Sequence, residues 1–209
     1  MAEAISTLYS KRLGRQLDPW TEVLVGAGGV CLLYAFTLAL TSPGDEVVIF
    51  EPFFPIFVDH IKLARLEVKA APLLFDAQTQ TWKIDYELFR KAFSEKSRLF
   101  IFNTPMNPTG KVFSKEEVQA LSDILHKEFP NVLIISDEVY EFFTYDGAEH
   151  HHIATFGENW KKTISIFDGG KLMSCTGWNL AYAVGPKEIV RLGSIILNTC
   201  CFSTFTPGQ

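Results

Sequence analysis

Residues Val23–Phe54 read VLVGAGGVCLLYAFTLALTSPGDEVVIFEPFF, and the fold turns on how this stretch is parsed. Val23 to Gly44 carries no charge and is long enough to span a bilayer. Yet it opens on a short β-branched run that stops at Gly26-Ala27-Gly28-Gly29, and the charged Gly44-Asp45-Glu46 leads straight into a second apolar run, Val47 to Phe50. A buried strand, a glycine turn and a buried helix account for that order better than a membrane span does. A short strand that is apolar throughout needs cover on both faces, which is the habit of parallel sheets flanked by helices.

Working outward, the same alternation recurs. Phe54 to Ala64 has helical spacing, and Leu66 to Leu74 reads as a strand. Asp85 to Glu95 forms an amphipathic helix with Tyr86, Leu88, Phe89 and Phe93 on its apolar side. Leu99 to Phe102 is a fully apolar strand. Ser114 and Glu117 make a capping box before Val118, Leu121, Ile124 and Leu125. Strands follow at Val132–Ile135, Thr163–Phe167 and Leu180–Val184, and a last helix runs from about Lys187 to Leu197. The pattern predicts one α/β domain with three α/β/α layers around a mainly parallel sheet.

Composition narrows the function classes. With 47% hydrophobic and 21% charged residues the chain is ordinary globular material rather than disordered. Nineteen basic against 24 acidic residues give a net charge of −5, which offers no footprint for nucleic acid or an anionic membrane. Cys31, Cys175, Cys200 and Cys201 fit neither a disulfide framework nor a zinc site, so reduced thiols and an intracellular chain are expected, with Cys200 and Cys201 as packing residues. The N-terminus has no secretory apolar region. His150-His151-His152 reads as a solvated loop, since adjacent histidines do not converge easily on one ion, and no metal is expected.

In such a fold, chemistry collects where strand carboxyl ends meet their loops. The polar residues just past each apolar run are Gly28-Gly29, Glu51 to Phe54, Asn103 to Gly110, Asp137 to Tyr140 and Asp168 to Lys171. Singly each has a bland explanation as turn, cap or solvated charge; together they suit one cofactor. A partly buried lysine amine condenses with an aldehyde, a carboxylate keeps a pyridine nitrogen protonated, and a helix N-terminus receives a phosphate. That set points to pyridoxal 5′-phosphate.

The motifs GDEVVIFEPFF (Gly44–Phe54), NTPMNPTGKVFS (Asn103–Ser114), SDEVY (Ser136–Tyr140) and GGKLMSCTGW (Gly169–Trp178) resemble class I/II, fold-type I aminotransferases. Within that family the resemblance is nearest to the kynurenine–oxoglutarate transaminase and cysteine-S-conjugate β-lyase group, and it runs from about Ile5 to the C-terminus. The resemblance implies Lys171 as the Schiff-base lysine and proton carrier, with Asp137 facing the pyridine nitrogen. It places Tyr140 and Asn107 on the ring hydroxyl, Phe54 on the ring face, Asn103 in the same pocket, and Gly28, Gly29, Val30 and Cys31 around the phosphate. It further implies amino-acid and 2-oxo-acid substrates of the kynurenine, glutamine, aromatic or sulfur class, β-lyase side activity, a homodimer, and a cytoplasmic or mitochondrial home.

Two departures and one shortfall set a second expectation beside the first. Asp168 stands where the family has a phosphate-binding hydroxyl, and Asn179 where it has a cationic phosphate partner. A carboxylate roughly 5 Å from a phosphate costs about 3 kcal/mol per charge pair at an effective dielectric of ~20. Ala181-Tyr182 replaces a usual Gly-Trp, and Cys31 a usual glycine, which predicts a reshaped phosphate cup. Family members run to about twice this length, so residues 1–209 correspond to the large domain, without the N-terminal arm and C-terminal small domain. The alternative to an aminotransferase is therefore a truncated, non-catalytic relative that binds the cofactor weakly and acts by association.

Overall fold

The computed structural model describes residues 1–202. In chain order α1 (Ala2–Arg12) is followed by β1 (Val23–Gly26), α2 (Gly29–Leu40), β2 (Glu46–Glu51), α3 (Pro55–Leu63), β3 (Glu67–Asp76) and β4 (Thr81–Ile84). Then come α4 (Tyr86–Lys91), β5 (Ser97–Asn103), α5 (Lys115–Lys127), β6 (Leu133–Asp137), β7 (Thr163–Asp168), α6 (Gly169–Leu172), β8 (Ala181–Val184) and α7 (Lys187–Cys201). The eight strands form one sheet in the order β1-β8-β7-β6-β5-β2-β3-β4. Its centre, β7-β6-β5-β2-β3, is parallel; β8 runs antiparallel to both of its neighbours, β7 and β1, and β4 at the other end runs antiparallel to β3. No described helix is long and apolar enough to cross a membrane.

Period-two alternation makes the three layers. Val47 and Ile49 of β2 point into a core shared with Leu32 and Phe36 of α2, Ile61 of α3 and Ile189 of α7. Their neighbours Val48 and Phe50 point the opposite way, toward Phe89 and toward Val118, Leu121 and Leu125 of α5. A third cluster seats Ile5 and Tyr9 of α1 against Val23, Phe167, Tyr182 and Val184. The capping box of α5 is complete: Glu117 N–H donates to Ser114 Oγ at 3.3 Å and Ser114 N–H to Glu117 Oε2 at 2.9 Å. Such a cap stabilises by about 1 kcal/mol.

The structure departs from the sequence reading in a few places. Helix α4 ends at Lys91 rather than Glu95, because Ser94 turns its hydroxyl onto Glu46 at 2.6 Å and breaks the helical path. Strand β4 is additional to the elements expected from the sequence; its four residues, Thr-Trp-Lys-Ile, lie at the sheet edge beside β3. Cys200 is exposed rather than packed, while Cys201 is half-buried with its sulfur 3.0 Å from that of Cys31.

The largest correction concerns the histidines. His150 and His152 are not solvated: both side chains are buried and both rings converge on the fully buried Glu138. His150 Nε2 lies 2.6 Å from Glu138 Oε2, and His152 Nδ1 bonds the same oxygen. Glu138 belongs to a different segment, 14 residues before His152, so local spacing could not show the pairing. These three groups have the composition of a metal site, with ligand atoms within 4.8 Å of one another. Further along, His152 Nε2 faces Glu141 at 3.9 Å, and Glu141 accepts from Tyr9 and pairs with Arg12 at 3.0 Å.

Burial alone would raise the Glu138 carboxyl, but the two imidazoles outweigh it and hold it well below the usual carboxylate range. Burial likewise opposes a charged His152, and Glu138 overcomes it, pushing the imidazole above its ordinary value. A raised histidine stabilises the fold below its unfolded pKa and loses that contribution as pH climbs through the folded value. Removing one partner of such a buried pair costs about 3–5 kcal/mol. His152→Ala should therefore lower unfolding free energy by about that much at roughly pH 6 and by clearly less at roughly pH 8.5, measured by denaturant titration at both; an equal loss at the two would contradict the ion pair.

Candidate active site

The parallel register carries the site residues to one edge. Asn103 at the end of β5 pairs with Asp137 at the end of β6, and Asp168 ends the adjoining β7. Beyond these ends lies a cavity of about 230 Å³ lined by fifteen residues, among them Gly28, Gly29, Val30, Phe54, Asn103, Asn107, Asp137, Tyr140, Asp168, Lys171 and Asn179. Eleven of the twelve positions named from the sequence thus meet in one place. Cys31 does not line the cavity: its sulfur turns to Cys201, and burial with that neighbour pushes the thiol up to about 12. Ala181 and Tyr182 are also absent from the wall, so they do not reshape it. Ala181 packs on the α2 side, and Tyr182 crosses to the α1 side, where its hydroxyl is 3.0 Å from that of Tyr9.

Ala27, Leu33, Val139 and Thr176 complete the lining. None of the four was assigned a site role from the sequence. Val139 could have been found, since it lies two residues past Asp137, and Thr176 sits in the TGW element already singled out.

Asn103 organises the floor. Its Nδ2 donates to the Asp137 carbonyl at 3.0 Å and its Oδ1 accepts from Asn107 N–H at 2.7 Å, so both polar ends are used within the protein. Asn103 therefore positions Asn107 and β6 rather than offering a free group. Tyr140 lines the same cavity as Asn107; burial, with Asp137 and Asp168 nearby, keeps its phenol above its ordinary value. Burial pushes the Asp137 carboxyl up to about 7, and the charges of Asp168 and Glu138 add to the effect. Such a carboxylate is ready to gain from a cationic partner.

Lys171 rides on the one-turn α6, and Asp168 makes that turn possible. Asp168 Oδ1 accepts from Gly170 N–H at 2.7 Å and Lys171 N–H at 3.2 Å. A Cβ on Gly170 would sit 2.8 Å from that oxygen and 3.0 Å from the Thr176 Cα, so only glycine fits beneath the lysine. Asp168 is thus neither idle nor turned away from the cavity: one oxygen caps α6, and Oδ2 looks across to Gly29, 3.5 Å from where a Cβ there would stand. Gly28 has φ +90 and caps α2, opening the first helical N–H groups toward the cavity. Asn179, left-handed at φ 47, brings its side-chain oxygen to 3.3 Å from the position of a Gly28 Cβ.

The ring side of the cavity fits a pyridine aldehyde: an amine, a buried carboxyl of raised pKa, a phenol and an amide, and the Phe54 ring. The end at α2 suits a phosphate dianion poorly, because its N–H groups share the space with the Asp168 carboxylate and, among the described lining residues, Lys171 is the only cation.

The family profile "Aminotransferase class I and II" matches residues 1–209. Kynurenine–oxoglutarate transaminase of Dictyostelium discoideum is 40% identical over 220 residues, covering all of this chain and 51% of that protein. Human kynurenine–oxoglutarate transaminase 3 is 34% identical, again over the whole chain and 47% of the relative. Among solved structures, N-succinyldiaminopimelate aminotransferase from Mycobacterium tuberculosis superposes with a TM-score of 0.91 at 32% identity, over 96% of this chain and 51% of that one. Aspartate aminotransferase from Thermus thermophilus with maleate gives 0.90 at 27% identity, over 100% and 52%. The chain spans about half the length of the curated relatives it matches. With that profile matched over its whole length, the chain belongs to the class I and II aminotransferases.

Proposed function

We propose that this chain is the large domain of a pyridoxal-phosphate-dependent aminotransferase that moves an amino group from an amino acid to a 2-oxo acid. The observation that carries the reading is the convergence of Lys171, Asp137, Tyr140 and Asn107 on one cavity at the carboxyl edge of the sheet. A bound pyridoxal cofactor supplies an electron sink for the pair left behind when a substrate Cα loses its proton. The chain's own groups do the rest. The Lys171 amine takes and returns the Cα proton, Asp137 holds a proton on the pyridine nitrogen, and Tyr140 with Asn107 orients the ring hydroxyl. Phe54 covers a ring face and excludes water.

The relatives' names favour kynurenine as amino donor and oxoglutarate as acceptor; the motif resemblance adds glutamine and aromatic or sulfur amino acids as further proposed donors. Loss of a β leaving group after the same proton removal would give cysteine-conjugate lyase activity. A homodimer in the cytoplasm or mitochondrion completes the proposal.

Two measurements test it. Millimolar pyridoxal phosphate should give the purified chain a near-ultraviolet to visible absorption band that Lys171→Ala abolishes and that an added amino donor shifts. If no Lys171-dependent band forms, the chain is a non-catalytic relative instead. Asp137→Asn separates stability from binding. The raised folded pKa means that ionising Asp137 destabilises the empty fold increasingly as pH rises from about 4 to about 7. The variant should therefore stabilise the cofactor-free chain, by on the order of 2–4 kcal/mol at about pH 8 and less at about pH 5, while weakening cofactor binding. Thermal unfolding at the two pH values, beside the absorbance titration, checks both halves; a variant no more stable at the higher pH would show that Asp137 is not the strained carboxyl described.

A further inference from the structure

We propose that the α2 end of the Lys171 cavity selects an uncharged substituent, so that this chain takes pyridoxal, the unphosphorylated aldehyde, at least as tightly as pyridoxal phosphate. The inference rests on the proposed function in one respect, that Lys171 is the amine which receives the aldehyde.

Charge is the first argument. Among the fifteen residues lining the cavity the only ionisable groups of ordinary acid or base character are Asp137, Asp168 and Lys171, two carboxylates against one amine. The amine is used at the aldehyde end, and Asp137 belongs to the ring nitrogen. What remains to face the substituent at α2 is Asp168.

Asp168 cannot simply leave. Its Oδ1 is held by Gly170 N–H at 2.7 Å and Lys171 N–H at 3.2 Å, so swinging the carboxylate out would uncap the turn that carries the lysine. With Oδ1 fixed, Oδ2 is fixed too. It has no hydrogen-bond partner among the described residues and lies 3.5 Å from the position of a Gly29 Cβ, beside the first N–H groups of α2. Across from it the Asn179 side-chain oxygen stands 3.3 Å from the position of a Gly28 Cβ, in a left-handed backbone that asparagine tolerates better than a lysine or arginine would.

The end wall therefore mixes N–H donors with acceptor oxygens. A phosphate dianion can only accept, so it would satisfy the donors while facing Asp168 with no cation between them. A hydroxymethyl group does both: its oxygen accepts from the α2 N–H groups and its proton goes to Asp168 Oδ2. A neutral donor-acceptor matches this wall, and a dianion does not.

The test is a pair of absorbance titrations of the 209-residue chain, one with pyridoxal and one with pyridoxal phosphate, each blanked against Lys171→Ala. The expected result is a dissociation constant for pyridoxal equal to or below that for the phosphate. Asp168→Asn keeps an oxygen to cap α6 and removes the charge. It should tighten pyridoxal phosphate by about tenfold or more and leave pyridoxal no tighter, because the amide nitrogen that replaces Oδ2 cannot accept the hydroxymethyl proton, so the ratio moves toward the phosphate. Asp168→Ser, which also caps, is the second variant should the first not fold. Binding of the phosphate tenfold tighter than pyridoxal by the unaltered chain, or an unchanged ratio in a folded Asp168 variant, would overturn the selectivity. Absence of any Lys171-dependent signal with both aldehydes would overturn the functional reading and the selectivity with it, a result distinct from the other two.

Discussion

The hydrogen-bonded ladder joining β5, β6 and β7 is the constraint on which the rest depends. Its parallel register pairs Asn103 with Asp137 and ends all three strands at one edge. Because side chains alternate with period two, a slip of one residue would carry Asp137 to the opposite face and bring Glu138 into the cavity. Both faces resist such a slip. Ile135 and Ile166 are locked into the α2 side, Ile134 into the α5 side, and Glu138 into its two imidazoles. The core thus specifies the site by fixing which of two adjacent acids looks at the lysine.

That pairing also assigns opposite electrostatic fates to neighbouring carboxyls. Asp137 is driven up because burial outweighs the weaker pull of Lys171, while Glu138 is buried against His150 and His152 and is driven down. One is left wanting a positive partner from outside; the other has found its own within the chain. The same logic separates Asp168 from both. It is half-buried and anchored through one oxygen by the backbone of α6, which leaves the second oxygen facing whatever enters beside α2.

Much of this was legible from residues alone, for physical reasons that can be named. Strands such as Val47–Phe50 and Leu99–Phe102 are apolar on both faces only if helices cover them, so the layering followed from the runs themselves. The Ser114–Glu117 box is local, and local chemistry reads well. What sequence could not show was long-range or directional. His152 meets Glu138 only after the intervening loop folds back, and Tyr182 meets Tyr9 across most of the chain. Asp168 was visible as an oddity at a phosphate position, but the bifurcated cap that holds it there is a matter of geometry. Cys31 was placed in the cup by position, yet its side chain points away because the first turn of α2 directs it toward α7.

The central claim is that this edge of the sheet delivers one particular amine, that of Lys171, to a pyridoxal-class aldehyde. Borohydride reduction of the chain after incubation with pyridoxal, followed by peptide mapping, tests it most directly. The account predicts a pyridoxyl mass on the peptide containing Lys171, formed at aldehyde concentrations that leave the other lysines unmodified. Labelling spread evenly over surface lysines, with Lys171 no more reactive than the exposed Lys161 or Lys187, would contradict it.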